Sequence, residues 1–271
     1  MKILLNKTSL TKSLRHFSDI GFVPTMGSIH KGHLSLINKS NQICYKTVVS
    51  IFVNPKQFNN QKDFKTYPKN IEKDLKILSQ TKKVDFVYIP KFKDIFKNNM
   101  KPKIELNKKD KILCAKYRKG HFEGVLDVMD KLTNIVKPNK IFMGNKDFQQ
   151  MLLVKNYLKN KYTADVVVCK TIRDKNKVAL SSRNYLLSKE NLKLAGEIVR
   201  KLISLKKNLK IKKNKNKYLL TVKDNFQKQF KIKIEYLELR DIHNLKLSNV
   251  INTSRLFVAY YLNGIRLIDN L

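Results

Sequence analysis

Five apolar, β-branched runs punctuate the first two-thirds of the chain, at residues 21–25, 47–53, 85–89, 140–143 and 165–172, each bounded by turn or helix signals. Between them, apolar positions recur at helical spacing over 34–45, 67–80, 125–136 and 149–159. Strands alternating with helices predict an α/β fold built on a doubly wound, Rossmann-like parallel sheet. After Ile172 the texture changes. A helical pattern over 189–205 leads into a Lys/Asn-rich stretch over 206–217 that reads as a helix end and surface loop, and strand patterns follow over 234–239 and 255–262. The expected organisation is a Rossmann-like domain over 1–172 and a smaller α+β C-terminal domain over 173–271. At 271 residues the chain can bury a sizeable core without covalent staples.

Composition changes this picture little. The hydrophobic fraction of 42% is that of an ordinary globular protein, whereas 57 Lys+Arg against 21 Asp+Glu give a formal charge of +36. Such a charge raises the alternative of a basic nucleic-acid-binding module. The excess is nearly all Lys, spread along the chain together with abundant Asn and Ile, and Arg does not cluster with aromatic residues. That is the imprint of A/T-rich coding, so the charge reads as a solvated surface with weak, salt-dependent polyanion binding and no specific nucleic-acid partner. Cys44, Cys114 and Cys169 stand far apart, with no metal-ligand spacing, and read as buried small hydrophobes. The first residues show no signal-peptide pattern, and no run approaches the ~18 apolar residues of a membrane span. A cytoplasmic location is expected.

Candidate chemistry begins at Pro24-Thr25-Met26-Gly27-Ser28-Ile29-His30-Lys31-Gly32-His33, where an apolar strand enters a glycine turn and a helix opens beside two histidines. Main-chain N–H groups and the positive helix end attract anions there. Gly27 and Gly32 allow close backbone approach, and two imidazoles can donate to phosphate oxygens. Each histidine could instead be a satisfied loop or core residue. His30-Lys31-Gly32-His33 resembles the signature of the nucleotidyltransferase superfamily, and the longer Pro-Thr-Met-Gly-x-x-His-x-Gly-His string is similar to that of the pantothenate synthetase family. Another nucleotidyltransferase shares the His-x-Gly-His turn but leaves the amides at 54, 57, 149 and 150 without a purpose.

Three further constellations extend the resemblance. In Ser50-Ile51-Phe52-Val53-Asn54-Pro55-Lys56-Gln57-Phe58, Asn54 and Gln57 could present amides to a small hydroxy acid, or serve the turn around Pro55. The resemblance implies that Gln57 contacts pantoate beside the β-alanine site. Tyr67, Pro68, Glu72 and Asp74 match in kind, and Asp74 reads either as a magnesium contact or as a helix-start carboxylate. Gly144-Asn145-Lys146-Asp147-Phe148-Gln149-Gln150 falls at the carboxyl edge of the expected sheet, where doubly wound folds bind ligands. The resemblance assigns Lys146 to ATP phosphates and Gln150 to pantoate; Asn145 replaces the family's Glu, which removes an orienting carboxylate but not the lysine. In Ala179-Leu180-Ser181-Ser182-Arg183-Asn184, two hydroxyls and a guanidinium suit phosphate oxygens, with helix capping as the alternative. The family's string binds ATP, and the position matching Ile172 meets adenine. Asn176-Lys177-Val178-Ala179 departs from the family's Asp-Gly-Leu-Ala, a change that bears on the form of that turn. Arg118-Lys119-Gly120-His121-Phe122-Glu123-Gly124-Val125 and Gly264-Ile265-Arg266-Leu267-Ile268-Asp269-Asn270 match as well.

What the resemblance implies is an ATP-dependent ligase. Pantoate carboxylate attacks the α-phosphorus of ATP, pyrophosphate leaves, and the amine of β-alanine then displaces AMP from the pantoyl-adenylate. Both nucleophiles come from substrates, so the protein supplies alignment and charge neutralisation. The expected ATP-binding residues are Met26, Gly27, Ser28, Ile29, His30, Lys31, Gly32, His33, Gly144, Asn145, Lys146, Asp147, Ile172, Leu180, Ser181, Ser182 and Arg183. His33, His30 and Lys146 are the expected catalytic groups, with His33 a hydrogen-bond or proton donor to the departing phosphate. Mg²⁺ is expected with ATP as substrate, with no tightly bound organic cofactor, and the resemblance suggests a homodimer.

Overall fold

The computed structural model describes residues 1–96 and 104–271. The chain divides into two compact units, Met1–Thr171 and Ile172–Leu271. The first contains β1 (Lys2–Leu4), α1 (Lys7–Leu14), β2 (Ile20–Thr25), α2 (Lys31–Ile43), β3 (Lys46–Ile51), α3 (Gln61–Thr66), α4 (Ile71–Thr81), β4 (Phe86–Tyr88), α5 (Phe92–Phe96), α6 (Cys114–Tyr117), α7 (His121–Val136), β5 (Lys140–Gly144), α8 (Phe148–Lys159) and β6 (Asp165–Cys169). Its six strands pair in parallel in the order β1-β4-β3-β2-β5-β6. Phe22, Val23, Val48, Val49, Ile141 and Phe142 on the central strands are fully buried. Continuous apolar runs of this kind arise because helices cover both faces of a parallel sheet. Each such side chain contributes roughly 1.5–3 kcal/mol of hydrophobic stabilisation.

The asparagines of this composition have local work: the side chains of Asn6, Asn60 and Asn70 cap α1, α3 and α4 by accepting from first-turn N–H groups. The topology also fixes where a ligand belongs. From β2 the chain winds outward through β3 and β4, then returns to place β5 against the other side of β2. The winding reverses between β2 and β5, and it is outside the carboxyl ends of such a strand pair that doubly wound sheets bind ligands.

The second unit contains α9 (Lys189–Asn208), α10 (Lys215–Phe230), β7 (Lys233–Asp241), β8 (Ser254–Leu262) and β9 (Ile265–Asn270). The three strands form an antiparallel sheet in sequence order. Its core joins Ala195, Ile198 and Leu202 of α9, Leu219 and Val222 of α10, and Leu239, Leu256 and Val258 of the sheet. Asn263 and Gly264, both at positive φ, make the two-residue turn between β8 and β9. The start of the unit is tied to β9 by Arg173, which donates to both oxygens of the buried Asp269 carboxylate at 2.6 and 2.8 Å.

All three cysteines are buried, and none of them is in a disulfide. Among the described residues no helix is long and apolar enough to cross a membrane.

Candidate active site

At the end of β2, Thr25 Oγ1 donates to the Ser50 carbonyl at 2.7 Å and accepts from Gly27 N at 3.1 Å, so the turn starts from a fixed point. Gly27 and Ser28 then take left-handed conformations, with φ of +79° and +53°. A Cβ at Gly27 would stand 2.8 Å from an oxygen of Asp74, so the position needs glycine for space as well as for φ. Asp74, buried in the first turns of α4, accepts from Ser28 N at 2.8 Å and Ile29 N at 2.7 Å. Both oxygens of Asp74, the residue read either as a magnesium contact or as a helix-start carboxylate, thus serve the main chain of the turn.

His30 is the N-cap of α2. Its Nδ1 accepts from Gly32 N at 3.0 Å, and Nδ1 of His33 accepts from His30 N at 3.4 Å, a reciprocal capping box made of two imidazoles. The rings stack with centroids 4.0 Å apart. The two readings of these histidines are therefore compatible, because one nitrogen of each ring caps the helix while the other is left for a ligand. A nitrogen that accepts carries no proton, so each neutral ring bears its proton on Nε2. Burial holds both rings neutral, pushing His30 down to about 4, with the Lys146 charge adding to the effect, and His33 down to about 3, with His30 and Lys146 adding to it. Near neutral pH they are hydrogen-bond donors and not imidazolium ions. Of the main-chain N–H groups expected to attract anions in this turn, those of Gly27, Ser28, Ile29, His30 and Gly32 are instead engaged within the chain.

Lys146 lies in the 3-10 turn Asn145–Asp147 that follows β5, across the winding reversal from β2. Its ammonium stands 3.4 Å from Asp147, whose side chain is about half exposed. Gly144 leads into this turn, and a Cβ there would meet open space. Of the two glutamines that follow, Gln149 is structural: it accepts from Cys114 N at 3.0 Å and donates to the carbonyls of Ile112 at 2.8 Å and Asp110 at 3.2 Å. Gln150, half-buried, occupies the first turn of α8.

The second constellation forms a 3-10 turn over Pro55–Gln57, capped by Asn54. Asn54 Nδ2 donates to the Gly124 carbonyl at 2.9 Å and to Gln57 Oε1 at 3.3 Å, and Gln57 Nε2 points at the Met26 sulfur. The turn-chemistry reading of Asn54 thus holds, and the same amide orients Gln57 toward the first constellation. A cavity of 370 Å³ on the β3–β4 side is lined by Met26, Phe52, Phe64, Ile71 and Phe92 among others.

The fourth constellation belongs to the second unit. Ser181 Oγ accepts from Arg183 N at 3.3 Å and caps the short 3-10 helix Ser182–Leu186, so Ser181 does act as a cap. Leu180 N donates to the Ile172 carbonyl at 2.9 Å. In the departing turn, Lys177 takes φ +70°, the left-handed conformation that suits the glycine of the family's string. The Asp174 carboxylate accepts from Asn176 N at 2.9 Å and Val178 N at 2.8 Å and so holds the turn in that form.

A parallel, doubly wound sheet carrying neutral imidazole donors and a lysine at its switch point defines a nucleotide-binding α/β protein. The chain belongs to the pantoate-β-alanine ligase family, whose model matches residues 2–271. It is 38% identical to pantothenate synthetase of Flavobacterium psychrophilum, covering 98% of this chain and 95% of that protein. It is 41% identical to pantothenate synthetase of Leptospira interrogans, over 93% and 90%. Among solved structures, pantothenate synthetase of Thermus thermophilus superposes with a TM-score of 0.92 at 29% identity, over 100% and 99% of the two chains. The Francisella tularensis pantoate-β-alanine ligase, solved with β-γ ATP and β-alanine, gives 0.84 at 35% identity, over 100% and 97%.

Proposed function

We propose that this chain condenses pantoate with β-alanine at the expense of ATP, through a pantoyl-adenylate, releasing AMP and pyrophosphate. One observation carries the reading: the two stacked imidazoles at the mouth of α2 lie close enough to Lys146 for its charge to act on both, with the Gln57 amide against Met26 of the same turn.

In the first step a pantoate carboxylate oxygen bonds to the α-phosphorus while the bond to the bridging oxygen of pyrophosphate breaks. Charge grows on the leaving group, and Lys146 with the Nε2–H groups of His30 and His33 stabilises it without proton transfer. In the second step the free amine of β-alanine attacks the acyl carbon, AMP leaves with the bonding pair, and the amine proton passes to solvent. Gln57 and Gln150 hold the hydroxy acid; Met26, Gly27, Ser28, Ile29, Lys31, Gly32, Gly144, Asn145 and Asp147 frame the nucleotide. By the family resemblance, Ser181, Ser182 and Arg183 are assigned to triphosphate oxygens, which their hydroxyl and guanidinium donors suit, with Ile172 and Leu180 beside the base.

Among the described residues no group of three or more His, Cys, Asp or Glu could hold a metal. Mg²⁺ is proposed to arrive with the triphosphate, and the half-exposed Asp147 carboxylate would be the protein oxygen at hand. Bound in that way it neutralises phosphate charge. A homodimer is inferred from the family resemblance, and sedimentation at micromolar concentration tests it.

The decisive assay mixes purified protein with ATP, Mg²⁺, pantoate and β-alanine, follows AMP release and omits each component in turn. AMP should form only with the full set. Equal AMP release without pantoate would sink the reading.

A further inference from the structure

The stretch from Arg118 to Asp127 has no part in the chemistry above, yet three of its residues meet the Gln57 turn. Gly124 lies so close that a Cβ there would overlap the Lys56 carbonyl and stand 2.8 Å from Gln57 N. One helical turn earlier, Nδ1 of the buried His121 lies 2.7 Å from the Gln57 carbonyl. Nearly one turn later, the Asp127 carboxylate pairs with the Lys56 ammonium at 2.9 Å, both side chains almost wholly buried. Residues 121, 124 and 127 share one face of α7, so the helix is a rail along which the turn is laid.

The His121 contact has its polarity settled by chemistry. A carbonyl only accepts, so Nδ1 carries the proton; the Arg118 guanidinium, 2.8 Å from Nε2, only donates, so Nε2 carries none. His121 is thus the neutral Nδ1–H tautomer, the opposite of His30 and His33. Arg118 is also 3.9 Å from the Asp63 carboxylate, which anchors the start of the chain of contacts.

We propose that His121, its tautomer set by Arg118, is a positioning residue that fixes the Gln57 backbone and thereby aims the Gln57 amide at the hydroxy acid. This rests on the proposed ligase reading, in which Gln57 holds pantoate. Two variants separate positioning from space-filling: His121→Asn keeps an N–H donor where Nδ1 stood, and His121→Leu fills the space without one. The expected result is a KM for pantoate raised about tenfold in His121→Leu, as one lost buried hydrogen bond predicts. The KM for ATP should stay within about twofold, and His121→Asn should restore most of the loss. Equal pantoate KM in the two variants, or a KM that follows melting temperature, would overturn the proposal. A second measurement needs no turnover: imidazole ¹⁵N NMR should show His121 protonated at Nδ1, and an Nε2–H signal from it would overturn the proposal even in an active enzyme. Wild-type protein that leaves pantoate unused while showing the Nδ1–H tautomer would count against the ligase reading and not against the His121 geometry.

Discussion

His33 helps to hold the start of a helix and, in the proposed mechanism, also donates to the departing phosphate. Its Nδ1 accepts from the N-cap, so the capping contact itself forces the proton onto Nε2. His33→Ala removes both roles and should slow adenylate formation by roughly a hundredfold or more, the cost of losing a positioned donor. Single-turnover pyrophosphate release checks this, and an unchanged rate would remove His33 from the mechanism. The same protonation chemistry shapes stability. Because native His30 and His33 resist protonation down to about 4 and 3, whereas unfolded histidine binds a proton near 6.5, the unfolded state takes up more protons across that interval. Their contribution is complete above pH 6.5 and is lost as the pH falls toward 4 and then 3. Melting temperature should therefore drop across this window in the wild type, and less steeply in a His30→Asn/His33→Asn double variant; parallel profiles would refute the assignment. A different residue-level strain sits at Lys177, left-handed in a turn held by Asp174. Lys177→Gly should stabilise the protein by about 1 kcal/mol, the penalty an L side chain incurs in that conformation, read as a rise in the urea midpoint.

Where helices begin is the part of the fold least legible in the chain. Apolar periodicity places the start of the second helix at Leu34 and of the seventh at Val125, but α2 starts at Lys31 and α7 at His121. In both, the first turn carries a histidine that caps the helix or holds a neighbouring turn, and a polar first turn gives no periodic signal. The helix α10 is hidden in the sequence because Leu219, Val222 and Phe226, correctly spaced on one face, are diluted by lysine and asparagine. The short β1 at the sheet edge is hidden because two of its three residues are exposed. The switch-point histidines and Lys146 are legible because resemblance preserves their strings, but Gln149 as a loop anchor and Asp74 as the tie between α4 and the turn depend on partners 35 to 46 residues away. That tie makes a prediction about two elements jointly. Asp74→Ala strips two main-chain N–H groups of a charged acceptor and should cost about 3 kcal/mol of stability. Activity should fall as the turn loosens, while the Mg²⁺ concentration for half-maximal rate stays unchanged. A large shift in that concentration would return Asp74 to the metal.

The charge of +36 acts on a third level, where no single pair matters. With 21 carboxylates for 57 cations, most cationic groups have no carboxylate to meet, and the lysines are spread along the chain instead of being gathered at a site. Composition of this kind reveals nothing about the active centre, which is why fold and chemistry are legible without it. It does tell how the folded state responds to solvent. Compaction brings like charges together, so self-repulsion opposes folding, and it weakens as the Debye length contracts from about 30 Å at 0.01 M salt to about 10 Å at 0.1 M and 3 Å at 1 M. Buried contacts such as Lys56 with Asp127 are shielded from this effect; the exposed lysines are not. The melting temperature should therefore climb by several degrees between about 0.01 and 0.5 M NaCl, with most of the gain below about 0.2 M, where screening lengths fall fastest. Weak binding to unstructured RNA should vanish over the same range, since both effects come from the same surface cations. A melting temperature that falls with salt would mean that attractive ion pairs, and not repulsion, dominate the surface, and an RNA complex retained at about 0.5 M salt would revive the nucleic-acid reading that the sequence argues against.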